Sequence, residues 1–165
     1  MPIIVENVRQ VVPAGVIQGV LAEVFDRGEV ETKWGPKHKI RFVYEVTEKR
    51  AGSDVPLTVA IDFNATWTPK GDLWKHVQAS LGRPFTSEES RRLNLDNLVG
   101  MNNLLTIQHN ESGDRTYANI VGIMPLMGNM EVISVSPHYI PQAELIRMRE
   151  EKALAAGATT GQYVV

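Results

Sequence analysis

No cysteine occurs among the 165 residues, which excludes disulfides, thiolate zinc sites and cysteine nucleophiles together and leaves the core alone to hold the fold. No apolar run approaches the roughly 20 residues that cross a bilayer. The opening "MPIIVENVRQ" lacks the basic start, apolar stretch and small-residue cleavage site of a signal peptide, so a cytoplasmic protein is expected. Internal repeats and low-complexity blocks are also missing. His38, His76, His109 and His138 have no metal-ligand spacing, "GRPFTSEES" has no Walker lysine, and no G-x-S-x-G occurs. Neither an enzyme nor a metal or other cofactor is therefore expected.

What is present fits one globular domain with a sizeable core: 43% hydrophobic and 22% charged residues. The formal net charge is −2, yet "TKWGPKHKIRF", residues 32–42, gathers Lys33, Lys37, Lys39 and Arg41 around Trp34 and His38 with no acid. The charge is segregated, which a total conceals.

Hydrophobic periodicity orders the chain. "GVIQGVLAEVF", residues 15–25, reads as a long strand in which Gly19 permits a bend or bulge. The polar stretch "DRGEVETKWGPKH" reads as a loop ending in the turn signal Gly35-Pro36. Ile40, Phe42, Tyr44 and Val46 then alternate with polar residues in a second strand, and Leu57, Val59, Ile61 and Phe63 do so in a third. Asp72 can cap a helix carrying Leu73, Trp74, Val77 and Leu81 and closed by Gly82; "TSEE" is a capping box for a second, and Asp96 a cap for one more turn. Period two returns from Asn103, and a loop of Glu111 to Arg115 joins a fourth strand to a fifth, "TYANIVGIMPL". "MEVISVS" offers a sixth strand. "AELIRMREEKALAA" reads as a C-terminal helix, followed by a loose "GATTGQYVV".

Three strands, a helix and two more strands predict an all-β-leaning chain, specifically an OB-fold. That is a five-stranded Greek-key barrel, here with a helix between strands 3 and 4 and a C-terminal helix. Residues 1–136 form the expected domain and 137–165 a helical extension and flexible tail. Ligands of that fold meet the outer faces of strands 2 and 3, flanked by the 1–2 and 4–5 loops. Single-stranded nucleic acid needs cations for phosphates and flat side chains for bases. Lys33, Lys37, Lys39, Arg41 and Arg115 supply the first, and Trp34, in a polar loop, the second, with His38 a further binding candidate in the same stretch. Lys70 extends the track. Trp67 reads equally as core or platform, and Arg115 and Tyr117 flank the second loop. The alternative for the cluster is a solvated face. Phe42, Tyr44 and Phe63 read as core, and the methionines as gap fillers.

"AGVIQGVLAEVFDRGEVETKWGPKHKIRFVYEV", together with "GRPFT" and a "YANI" strand after a short loop, resembles small OB-fold single-stranded DNA-binding proteins of bacteriophages across roughly residues 13–126. The resemblance implies coating of single-stranded DNA in replication or recombination, without catalysis, with other replication or recombination proteins as partners. Many such proteins end in an acidic tail. Here Glu144, Glu150 and Glu151 are balanced by Arg147, Arg149 and Lys152, and the terminal Tyr163, Val164 and Val165 could instead pack on a neighbouring copy in a homo-oligomer. The rival reading is the same barrel as a protein-interaction or structural module of a phage, with Trp34 as a protein contact.

Overall fold

A computed structural model describes residues 10–164, with side chains described through residue 156. The opening segment, Val165 and the side chains of Tyr163 and Val164 weighed above lie outside that description.

Five antiparallel strands form one sheet: β1 (Gly15–Thr32), β2 (Gly35–Lys49), β3 (Pro56–Asn64), β4 (Asn102–Ser112) and β5 (Arg115–Pro125), in the order β3-β2-β1-β4-β5. The chain is thus mostly antiparallel sheet, as the alternating pattern predicts. The sheet curls until its edge strands β3 and β5 come near each other, with helix α1 (Asp72–Leu81) packed against both, but no ladder joins them. On the inner face Phe42, Tyr44, Val46, Leu57, Val59, Phe63, Leu105 and Ile107 meet Leu73 and Val77 of α1 in the main core. Burying each such side chain contributes about 1.5–3 kcal/mol.

Several local readings are revised. Gly19 marks no bulge: it pairs with both Val46 and Asn103, and a Cβ there would lie 2.8 Å from Leu105 Cδ1, so its use is close approach between strands. The bulges in β1 fall instead at Ala22 and Arg27. Gly71, not Asp72, is the N-cap of α1, and Asn94 rather than Asp96 caps the short 3-10 helix Leu95–Leu98, its side chain accepting from Asp96 N. The capping box is formed, with α2 at Ser87–Arg91. The β4–β5 connection shrinks to Gly113-Asp114, since Ser112 pairs with Arg115; Gly113, at φ +66°, holds the first central position as in type II′ hairpins. "MEVISVS" forms no strand, for reasons given below. Helix α3 runs Gln142–Val164, through residues expected to be loose.

Candidate nucleic-acid interface

The polar stretch 26–38, expected as a loop, is strand on both sides of a two-residue turn. Thr32 pairs with Gly35, leaving only Lys33 and Trp34 at the apex. Two features hold that turn: Thr32 Oγ1 accepts from Trp34 N at 3.1 Å and donates to Gly35 O at 2.6 Å, and Gly35 takes φ +96°. Polar composition misled because a ribbon with no core beneath it needs no apolar face. The ladder of β3 ends at Lys39 opposite Asn64, with one further bond from Ala65 N to His38 O, and β4 pairs only with Gly15–Val20. From Lys39 outward the β1–β2 hairpin therefore projects as an arm, two-stranded beyond His38, whose β2 part, Gly35–Lys39, is five residues or roughly 17 Å long. At its tip Trp34 is 77% exposed, with Lys33 Nζ 5.3 Å from its ring centroid.

The arm sorts its charges by face. On β2 the even residues Ile40, Phe42 and Tyr44 point to the core side, so Lys37, Lys39 and Arg41 share the outer face. Asp26 pairs with Ile40 but Gly28 pairs with Lys39, making Arg27 an extra residue in β1. A one-residue shift reverses which side chains share a face. Past this bulge Gly28, Val30 and Thr32 lie opposite Lys39, Lys37 and Gly35 on the outer face, while Glu29 and Glu31 lie opposite His38 and Pro36 on the other. Without the bulge both glutamates would stand among the lysines. Gly28 takes φ +66°, and Asp26 Oδ1 accepts its N–H at 2.8 Å, which shapes the bulge.

Not every candidate cation stays available. Arg41 meets Asp62 of β3 through two hydrogen bonds, 2.7 and 3.1 Å, and Arg27 reaches the same carboxylate at 2.7 Å. Burial opposes ionisation of Asp62, but hydrogen bonding and charge from Arg41, then Arg27, outweigh it and hold its pKa below the usual value. His38 Nε2 lies 2.6 Å from Asp26 Oδ1 on the acidic face. The Gly28 N–H first, and His38 second, lower the Asp26 pKa. Lys33, Lys37 and Lys39 have no ion-pair partner among the described residues.

Where the outer face leaves the arm, the chain itself covers it. Residues 131–142 cross β4, β1 and β2 as an irregular strap, which is why "MEVISVS" finds no ladder. Gln18 donates to Glu131 O at 2.7 Å, Asn102 exchanges two bonds with Ile133, Glu45 accepts from Ser136 N and Oγ at 2.6 and 2.7 Å, and Glu23 accepts from Tyr139 Oη and Gln142 N at 2.6 and 2.9 Å. Burial, then hydrogen bonding to Glu23, raises the Tyr139 pKa, keeping its hydroxyl a donor. Val20, Val43 and Glu45 are almost completely buried on this outer face, outside the main core cluster. The expected ligand surface of strand 2 is thus closed where it carries Val43 and Glu45. Arg41 marks the border, its Nη1 donating to Gln142 Oε1 at 3.3 Å.

The remaining candidates are dispersed. Trp67 packs against Trp74 and Phe85, ring centroids 4.7 and 5.1 Å away, and its indole N–H donates to Glu89 O at 2.9 Å, so its surroundings match the core alternative. Lys70 is exposed in the loop that leaves β3 beside the base of the arm. Arg115 and Tyr117 stand at the opposite end of β1, because β4 continues past Gly15 toward its hairpin while the arm begins beyond β3. Sequence reasoning missed Arg27, Asp62, Glu23 and Glu45. An isolated glycine after Asp-Arg within an alternating run was the available signal for the bulge.

Elsewhere a cleft of about 320 Å³ lies between β3, β5 and α1, lined by Ile61, Phe63, Ile120 and Ile123 with Asp72, Lys75 and His76. His76 is buried, hydrogen-bonds to Tyr44 Oη at 2.8 Å, and burial lowers its pKa to about 4, so it is neutral. Among the described residues no three His, Asp or Glu side chains gather as a metal site, and no helix is long and apolar enough to cross a membrane. Comparison with family models, curated proteins and solved structures finds no match.

Proposed function

We propose that the chain is an OB-fold protein of the bacteriophage single-stranded DNA-binding type, and that it binds single-stranded DNA through the β1–β2 arm with little sequence preference. The observation that carries this reading is the arm's outer face: Lys37 and Lys39 in line, with Lys33 and the exposed Trp34 at the tip. Ammonium groups contact phosphates without reading bases, and an indole stacks on any base. The strand order and the approach of β3 to β5 support the OB-fold assignment. Replication or recombination is the setting the resemblance implies. The role is binding without catalysis, in the host cytoplasm.

Titration with oligothymidine at low salt tests it. Trp67 and Trp74 are packed, so fluorescence quenching on binding reports Trp34. Quenching that disappears in Trp34→Ala, with affinity lowered in Lys37→Ala/Lys39→Ala, supports the proposal; no quenching at any salt concentration refutes it. A second reading, a protein-interaction module, is favoured by the exposed apolar side chains Val16, Met124 and Val132 at the strap's edge. It predicts no oligothymidine binding and concentration-dependent association instead.

A further inference from the structure

We infer that each chain holds a single-stranded stretch of only about three nucleotides, on one face of the arm, and that the acidic reverse face turns duplex DNA away. This rests on the nucleic-acid reading above and specifies what the same site accepts.

The length follows from where the track ends. Lys37 and Lys39, two residues apart on one strand face, are separated by roughly 7 Å. That spacing suits successive phosphates of a stretched single strand, and Lys33 at the turn supplies a third contact. The next outer-face cation, Arg41, is committed to Asp62 and Gln142. Beyond it the same face carries Glu23 and Glu45 beneath the strap, so the surface is both closed and of the wrong sign. Arg115 and Tyr117 cannot continue the path, being at the other end of β1.

The choice of a single strand follows from the reverse face. A two-stranded ribbon has the width to enter a major groove, and with lysines alone this arm would suit duplex DNA as well. In a groove, however, phosphates flank both faces of the ribbon. Glu29 and Glu31, with Asp26 nearer the base, would then confront the second strand; both glutamates are exposed and have no ion-pair partner among the described residues. Two unit charges at roughly 7 Å from phosphates in water weaken duplex binding by about five- to tenfold. A single strand lying on the lysine face stays away from them. The Arg27 bulge is the positioning device, since it sets which face the glutamates occupy.

The test is Trp34 fluorescence titration of the full chain at low salt with oligothymidines of increasing length and with a blunt duplex of mixed sequence. The expected result is saturation at about three nucleotides per chain, one per lysine, with the duplex bound more weakly. Glu29→Gln/Glu31→Gln should strengthen duplex binding by about five- to tenfold and change oligothymidine binding less than about twofold. Its thermal midpoint, unchanged from the parent, checks folding. A footprint of about eight nucleotides or more, typical of larger OB-fold sites, overturns the inference while leaving DNA binding intact. So does a duplex-to-single-strand ratio that the double variant leaves unchanged. Failure to bind any oligothymidine refutes the underlying functional reading instead.

Discussion

The outer face of the β1–β2 hairpin is two surfaces on one pair of strands. In the arm no described residue covers it, and it carries Lys37 and Lys39; in the body it is covered by residues 131–142 and carries Glu23 and Glu45. Each sign suits its neighbour. Carboxylates accept from the backbone and hydroxyl donors of an irregular strap that has no ladder of its own, satisfying groups that would otherwise be buried unpaired. Ammonium groups, with three donors and strong hydration, are left where no carboxylate among the described residues pairs with them. Position along a strand therefore decides whether a polar residue holds the fold together or remains open to a ligand.

The comparison can be broken most strongly by moving across the strand instead of along it. Phe42→Ala should cost about 3–5 kcal/mol, measured by denaturant unfolding, whereas Lys39→Ala should change stability by less than about 0.5 kcal/mol. Next comes pH. His76 has a folded pKa of about 4 against an ordinary value near 6.5, so between these values the unfolded chain binds more protons. Stability is full above about 6.5 and declines as pH falls toward 4, by on the order of 3 kcal/mol. His76→Gln, which keeps a partner for Tyr44, should flatten that slope in urea titrations between these pH values.

Under the strap, Glu45→Ala removes both bonds to Ser136 and should cost about 2 kcal/mol. Faster hydrogen exchange across residues 131–140, with oligothymidine affinity unchanged, would separate body from arm. At the tip, Trp34→Ala should lose about 1–3 kcal/mol of binding and almost no stability. The smallest effect is a slope. Three free lysines predict log K against log salt near −2.1 for a single strand, and Asp62→Asn, by releasing Arg41 and Arg27, should steepen it to about −2.8 with one arginine in the track and about −3.5 with both. An unchanged slope in that variant would mean Arg41 stays outside the track even when unpaired.

How much of this was legible beforehand depends on whether the relevant partner was local. Alternation at Ile40 to Val46 and Leu57 to Phe63 gave strands and core, and the capping box at Thr86–Glu89 gave α2, because the informative residues are sequence neighbours. The four-cation cluster was equally visible. Its partition was not, since Arg41 is separated from Asp62 by a whole strand connection and Glu45 from Ser136 by most of the chain. "MEVISVS" has the composition of a strand, but what places it is a set of carboxylates and amides on β1, β2 and β4, not any pattern of its own. The arm was misread for the opposite reason: two strands that cover nothing show no hydrophobic period.

The bulge at Arg27 also bears on how the arm can vary between generations. Hairpins commonly tolerate the gain or loss of a codon near the turn, because the change is absorbed by a loop. Here there is hardly a loop to absorb it. One codon more between Gly28 and Glu29 would keep both strands and every charge yet exchange the faces on which Glu29 and Glu31 stand, whereas loss of codon 27 would leave Gly28 opposite Lys39 and both faces as they are. Substitutions would have to accumulate to achieve the same reversal, so the arm's polarity is more sensitive to its reading length than to its composition.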